Sequence, residues 1–301
     1  MKNNESQVAV IGGATIDIFG TATTAIKAAD SNIGTVNYSF GGVGRNIAHN
    51  LSKLDINVEL VCVLGNDDNA TKIIEHCQQE NIGLNHILRT DKPTATYLSV
   101  NQPSGDIYVA IAAMNINDEL TTEFLTSHLP WLNTCDIVVF DTNLSEATLA
   151  FLMANIKTKI FVDPVSGIKA EKLQGNLKNI TAIKPNYIEA LALSGKILSE
   201  EEILTELLTY DIKEVYLTLG DKGLLCGDKD HRYKLANYPG AIINTTGCGD
   251  AFLAGVIYGE LQAADLLTKS KYGLASAAIC CRSDSAINEF LSCDELMKVV
   301  G

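Results

Sequence analysis

Short apolar runs alternate with amphipathic stretches along nearly the whole chain. Val8–Ile11, Val58–Val63, Ile137–Phe140, Lys159–Val162 and Val215–Leu219 predict strands. The middle ones are near-continuous apolar runs, the pattern of strands covered on both faces of a parallel sheet. Between them Val43, Ile47, Leu51 and Leu54 recur at helical spacing, as do Phe124, Leu125 and Leu129. Ala251–Tyr258 is apolar all round and predicts a buried helix. Such alternation predicts a doubly wound, mostly parallel α/β sheet flanked by helices.

Two segments break the pattern. Residues 94–100 and 106–112 flank the turn-rich Asn101-Gln-Pro-Ser-Gly105 and predict an antiparallel hairpin. Residues 20–38 are polar and irregular, and Tyr38 and Phe40 lead into a glycine pair. Together, segments of about 20–38 and 94–112 are expected to form a small β lid. No internal repeat or linker divides the chain, so residues 1–301 are expected to be one domain.

Composition narrows the class. Hydrophobic residues are 47% and charged residues 20% of the 301, which excludes disorder. With 23 basic against 36 acidic residues the net charge is −13, and no basic cluster marks a nucleic-acid face. The longest nearly apolar stretch, Ala251–Gly259, is far shorter than the roughly 20 residues of a membrane span. The start, MKNNESQVAVIGG, lacks the build of a secretory signal. A cytoplasmic protein with reduced thiols at its eight cysteines is therefore expected. The five histidines lack metal-ligand spacing, which argues against zinc.

Polar residues recur just beyond the strands: Gly12-Gly13 and Asp17, Asp141-Thr-Asn143, Asp163-Pro164, Lys184-Pro-Asn186 and Gly220-Asp-Lys-Gly223. Ligands of open α/β sheets bind at those carboxyl ends. Four motifs stand out there. Asn244-Thr-Thr-Gly-Cys-Gly-Asp250 feeds the apolar helix, so free amides and the helix dipole make an anion site. Asp250 is then a general base beside a phosphoryl acceptor, or a simple helix cap. Gly41-Gly42-Val43-Gly44-Arg45-Asn46 opens a helix without the third glycine of a dinucleotide fingerprint and without a clean strand before it. Asn186-Tyr-Ile-Glu189 suits water-mediated magnesium chelation, or equally a capping box. Thr218-Leu-Gly220 ends a strand and is either a nucleotide contact or a plain hairpin turn.

In this order the motifs resemble the PfkB (ribokinase-like) family of carbohydrate and nucleoside kinases over essentially the whole chain. The resemblance implies a ribokinase-like fold and ATP with magnesium as cofactors. It implies substrate binding by Asp17, Gly41, Gly42 and Asn46, nucleotide contacts by Asn186, Thr218 and Gly220, and magnesium organised by Glu189. Gly247, Cys248 and Gly249 would form the anion hole, with Asp250 as catalytic base. The chain departs from the family pattern at Thr15, Asp55, Cys248 and Asn244. Asn244 stands where many members place an aspartate for a monovalent cation, which argues against potassium activation. Within the family, Asp30–Gly34, Phe40–Ala48, Met114-Asn-Ile116 and Phe161–Ser166 resemble the pseudouridine kinases. That likeness implies 5′-phosphorylation of a nucleoside, with Asn115, Ser31 and Asn32 as candidates to meet the base. A ribose- or fructose-type sugar kinase and a non-catalytic binding relative are the alternatives, and a homodimer through the lid is expected.

Overall fold

The computed structural model describes residues 7–301; residues 1–6, which begin the segment judged unlike a signal, lie outside the described residues. Along the chain the strands are β1 (Gln7–Ile11), β2 (Thr15–Ala22), β3 (Gly34–Gly41), β4 (Asn57–Val61), β5 (Val63–Gly65), β6 (Leu88–Thr90) and β7 (Thr96–Asn101). There follow β8 (Ile107–Ala113), β9 (Ile137–Asp141), β10 (Lys159–Asp163), β11 (Ala182–Ile183), β12 (Glu214–Thr218), β13 (Leu224–Gly227) and β14 (Arg232–Leu235).

Eight of them form the main sheet in the order β14-β13-β12-β11-β10-β9-β1-β4. The six from β12 to β4 run parallel, and β13 and β14 add an antiparallel edge. The two-residue period of β1 sends Val8 and Val10 into one core and Ala9 and Ile11 into the other. Helices Val43–Lys53, Cys248–Leu261 and Leu266–Cys280 close the first face. Helices Thr122–Leu132, Glu146–Asn155, Tyr187–Ser194 and Glu200–Leu208 close the second. All five residues of β9 are buried, as its continuous apolar run predicts.

The predicted strand Val58–Val63 is in fact two. β1 gives way to the Gly12-Gly13 turn, and Gly12 N–H donates the last bond of that ladder to Val61 O. Beyond Val61 the β1–β4 register ends, and β5 turns away and pairs in parallel with β6.

The remaining four strands make a second sheet in the order β3-β2-β7-β8. The expected hairpin is present as β7 and β8. Of residues 20–38 only 23–33 are irregular, and a strand, β3, does lead into the glycine pair. β2 and β3 pair antiparallel from Thr15 opposite Gly41 to Ala22 opposite Gly34, with residues 23–33 joining them. Val36, Tyr38 and Phe40 alternate with Thr35, Asn37 and Ser39, the two-residue period of a strand, though both faces are exposed from Gly34 to Tyr38. The polar half of that alternation hid the strand.

Candidate active site

At the carboxyl end of β9 lies Asp141, a fully buried carboxylate. It accepts from the backbone N–H groups of Gly13 (3.0 Å), Gly44 (2.9 Å) and Asn143 (2.8 Å). It thus ties the turn after β1 to the first turn of helix Val43–Lys53. Burial pushes its pKa up.

Asp17, on β2, accepts from Thr15 Oγ1 at 2.8 Å. Burial raises its pKa, against the Thr15 hydrogen bond and the charge of Arg45. A Cβ on Gly41 would fall 2.2 Å from Asp17 Oδ2, so only glycine leaves room for this carboxylate. Gly42 is the N-cap of the helix that carries Asn46. Asn46 Nδ2 donates to Asp250 Oδ2 at 2.7 Å, across 204 residues of sequence. The first glycine motif and the last therefore meet.

Asp250 does not cap its helix. The N-cap is Gly247, at φ 79°, and no side chain bonds there. A Cβ on Gly247 would sit 2.1 Å from Ala286 O, so both φ and space require glycine. Asp250 instead lies in the first helical turn at 8% exposure. Burial above all, and then the charge of Asp163, lifts its carboxyl to about 7, while Asn46 and Lys184 oppose the rise.

Lys184 follows β11 at 6% exposure. Its Nζ is 3.2 Å from Asp163 Oδ2, and 3.0 Å from where a Cβ on Gly249 would lie. The ammonium therefore rests against the backbone of the glycine loop. The ion pair is the contact Asp163 Oδ2 makes among the described residues, where it has no further donor. Burial alone would lower the Lys184 pKa, but Asp163, Glu189 and Asp250 outweigh it and the net direction is upward.

The capping box at Asn186 and Glu189 is complete. Asn186 Oδ1 accepts from Glu189 N at 2.9 Å, and Glu189 accepts from Asn186 N (2.9 Å) and Nδ2 (2.8 Å). Glu189 is only 3% exposed, and burial raises its pKa despite Lys184 nearby. Thr218 N–H donates to Pro185 O at 2.9 Å, which holds the end of β12 beside this box. Gly220 lies in the turn between β12 and β13, so this turn is a hairpin connection and a cavity wall at once.

That cavity, of about 370 Å³, is lined by Asn186, Thr218 and Gly220 on one side and by Cys248 and Gly249 on the other. Tyr238, Ile242, Phe252 and Leu274 give it apolar walls, the build of a small-molecule site. A second cleft of similar volume, between Gln174 and Asp211, holds none of the candidate residues.

Three candidates stand apart. Asn115 is exposed, and Ser31 and Asn32 lie in the exposed 23–33 connection. Asn117, two residues past Asn115, is buried instead, and with Asn143 it borders the space beside Gly13. Asp141, Asp163 and Lys184 were visible in the sequence as polar strand ends, with nothing to separate them from ordinary loop residues. The eight cysteines are all free thiols.

The profile of the pfkB family carbohydrate kinases matches residues 5–292. The pseudouridine kinase of Escherichia coli (strain K12) is 34% identical over 256 residues, covering 83% of this chain and 82% of that protein. An uncharacterized sugar kinase of the same organism is 29% identical over 299 residues, covering 97% and 82%. The structure of Arabidopsis thaliana ribokinase complexed with ribose and ATP is similar at a TM-score of 0.86 and 20% identity, over 98% of each chain. The fold is thus ribokinase-like, as the sequence predicts. Together with the family match over nearly the whole length, this means that the chain belongs to the pfkB family of carbohydrate kinases, phosphotransferases that act on a hydroxyl group.

Proposed function

We propose that this chain transfers the γ-phosphoryl group of ATP to the 5′-hydroxyl of a nucleoside, and that the nucleoside is pseudouridine. One observation carries the reading: the 2.7 Å bond from Asn46 to a buried Asp250 whose carboxyl is lifted to about 7. It joins the acceptor motif to a glycine loop that lines the cavity, and it leaves a carboxylate poised to take a proton near neutrality.

In this mechanism Asp17 and Asn46, with the backbone of Gly41 and Gly42, hold the ribose hydroxyls. Asn186, Thr218 and Gly220 hold the nucleotide. The acceptor oxygen attacks the γ-phosphorus in line and its proton passes to Asp250, while the bond to the ADP oxygen breaks. Backbone amides of Gly247, Cys248 and Gly249 and the ammonium of Lys184 stabilise charge on the transferring group. The second sheet acts as a lid that excludes water, on a single kinase domain.

No group of three or more His, Cys, Asp or Glu among the described residues is arranged to enclose a metal. A protein cage for magnesium therefore does not fit. An ion carried by phosphates and water does fit beside the buried carboxylates of Glu189 and Asp163. When bound, magnesium neutralises charge between the phosphate oxygens. Glu189→Gln keeps one acceptor for the Asn186 N–H but sets an NH₂ against the Asn186 side-chain amide, so melting is expected to fall modestly while the MgCl₂ needed for half-maximal rate rises. Unchanged magnesium demand with a stability loss of about 0.5–2 kcal/mol would leave the box purely structural.

The acceptor choice is supported by the relative at 34% identity; the sugar-kinase alternative is supported by the relative matched over 97% of the chain. Pseudouridine carries a ring N–H that uridine lacks, and a site built for it leaves an acceptor unpaired with uridine. We expect kcat/KM for pseudouridine to exceed that for uridine by about 10- to 100-fold, with adenosine and ribose also poorer. Side-by-side kcat/KM values test this; ribose best would favour the sugar-kinase alternative. We also infer that the lid pairs with a second copy of this chain. β8 is exposed along its whole length, and Tyr38, Ile18, Leu98 and Ile111 align across neighbouring strands as an apolar row. Light scattering of Ile111→Lys should report a monomer where the parent chain is a dimer.

A further inference from the structure

We propose that Arg45 is a positioning residue that acts through Asn46, locking its side-chain amide with the NH₂ group turned toward Asp250. Arg45 is 1% exposed, the largest side chain among the fully buried ones. Its Nε donates to Gly41 O at 2.9 Å and its Nη2 to Phe40 O at 2.7 Å. Its Nη2 also donates to Asn46 Oδ1, and Nη1 meets His49 Nδ1 at 3.3 Å. Among the described residues no carboxylate bonds to it. A buried guanidinium without a bonded counterion is costly, and a neutral side chain would serve packing alone better. What the charge and the fork do here is direct two backbone carbonyls, one ring nitrogen and one amide oxygen.

The amide oxygen is the consequential partner. With Asn46 Oδ1 taken by Arg45, Nδ2 is left facing Asp250 Oδ2. In the flipped amide, NH₂ would face the N–H groups of Arg45 and the oxygen would face the Asp250 carboxylate. Both contacts would repel. Without the fork the amide is free to turn, and the donor that favours ionised Asp250 is lost. His49 fits this role as acceptor, because burial and the charge of Arg45 hold its pKa down at about 3 and so keep it neutral. Asp250 also faces Asp163, Lys184 and Asp141 from the ends of β10, β11 and β9. Arg45 bonds to none of those three among the described residues, so its bonded route to the carboxylate runs through Asn46.

The inference rests on Asp250 as base, but its test needs no turnover. Enzyme carrying ¹³C-labelled aspartate carboxyls is titrated by NMR, with the Asp250 signal assigned by its loss in Asp250→Asn. The titration midpoint is expected to rise by about one pH unit in Arg45→Lys, as in Asn46→Ala, because either change removes the amide hydrogen bond to the charged form. Arg45→Lys loses the fork but keeps the charge that also acts on Asp250 through space. The double variant should shift no further than Asn46→Ala alone. Arg45→Gln removes that charge as well, so its midpoint is expected to rise at least as far as that of Arg45→Lys. An unmoved midpoint, or additive shifts in the double variant, would overturn the proposal. A wild-type enzyme that phosphorylates no acceptor would instead overturn the proposed function and leave this titration readable.

Discussion

Asp250→Asn is expected to lower kcat by a factor on the order of 10² to 10⁴, the range for losing a general base, while MgATP still binds. Binding survives because the amides of Gly247, Cys248 and Gly249 come from the backbone and the cavity walls are untouched. The pH dependence follows from the same carboxyl. The base is the ionised form, so with a pKa of about 7 the wild-type kcat/KM should climb about tenfold per unit up to pH 7 and then level. For stability the sign is opposite. A carboxyl whose folded pKa is raised favours folding below its unfolded value, near 4, and that contribution is lost as pH rises through 7. At pH 8 the Asn variant should therefore melt no lower than the parent. Near-parental turnover would remove Asp250 from the chemistry; a large fall in melting temperature would make its role structural.

Lys184→Met should cost on the order of 10² in kcat, the usual loss when one preorganised donor to a developing negative charge is removed. The ammonium lies against Gly249 and faces Asp163, Glu189 and Asp250, in a chain with a net charge of −13. Without it the same carboxylates lose their buried counter-charge, so the acid limb of kcat/KM should move upward as Asp250 holds its proton more tightly. Some stability will be lost as well, since breaking a buried pair leaves charge uncompensated. The split between the two effects decides the assignment. If kcat at pH 9 matches the parent while only melting falls, Lys184 neutralises its neighbours and takes no part in transfer.

The parallel sheet was legible because its strands are covered on both faces and so are apolar at nearly every position, as in β9. β2 and β3 were not, because the second sheet is largely exposed or half-buried and polar residues such as Thr35, Asn37 and Ser39 break the apolar run of β3. The glycine motifs were legible because Gly41 and Gly247 each occupy positions closed to any side chain. Their meeting was not, since the Asn46–Asp250 bond spans 204 residues. Capping and chelation at Asn186 and Glu189 share one spacing, so only coordinates could reveal the completed box. Lys184 and Asp163 were hidden for a different reason. A polar residue at a strand end is ordinary until the fold buries it, and burial of a cation among three carboxylates is a tertiary fact.

The most direct test is to incubate the protein with pseudouridine, MgCl₂ and ATP labelled in its γ-phosphoryl group, and to identify the labelled product by chromatography and mass spectrometry. The expected result is transfer of the label to pseudouridine 5′-phosphate, one equivalent for each ADP formed, and its near abolition in Asp250→Asn. Label released only as inorganic phosphate, or no transfer from ATP to any nucleoside or sugar hydroxyl, would contradict it.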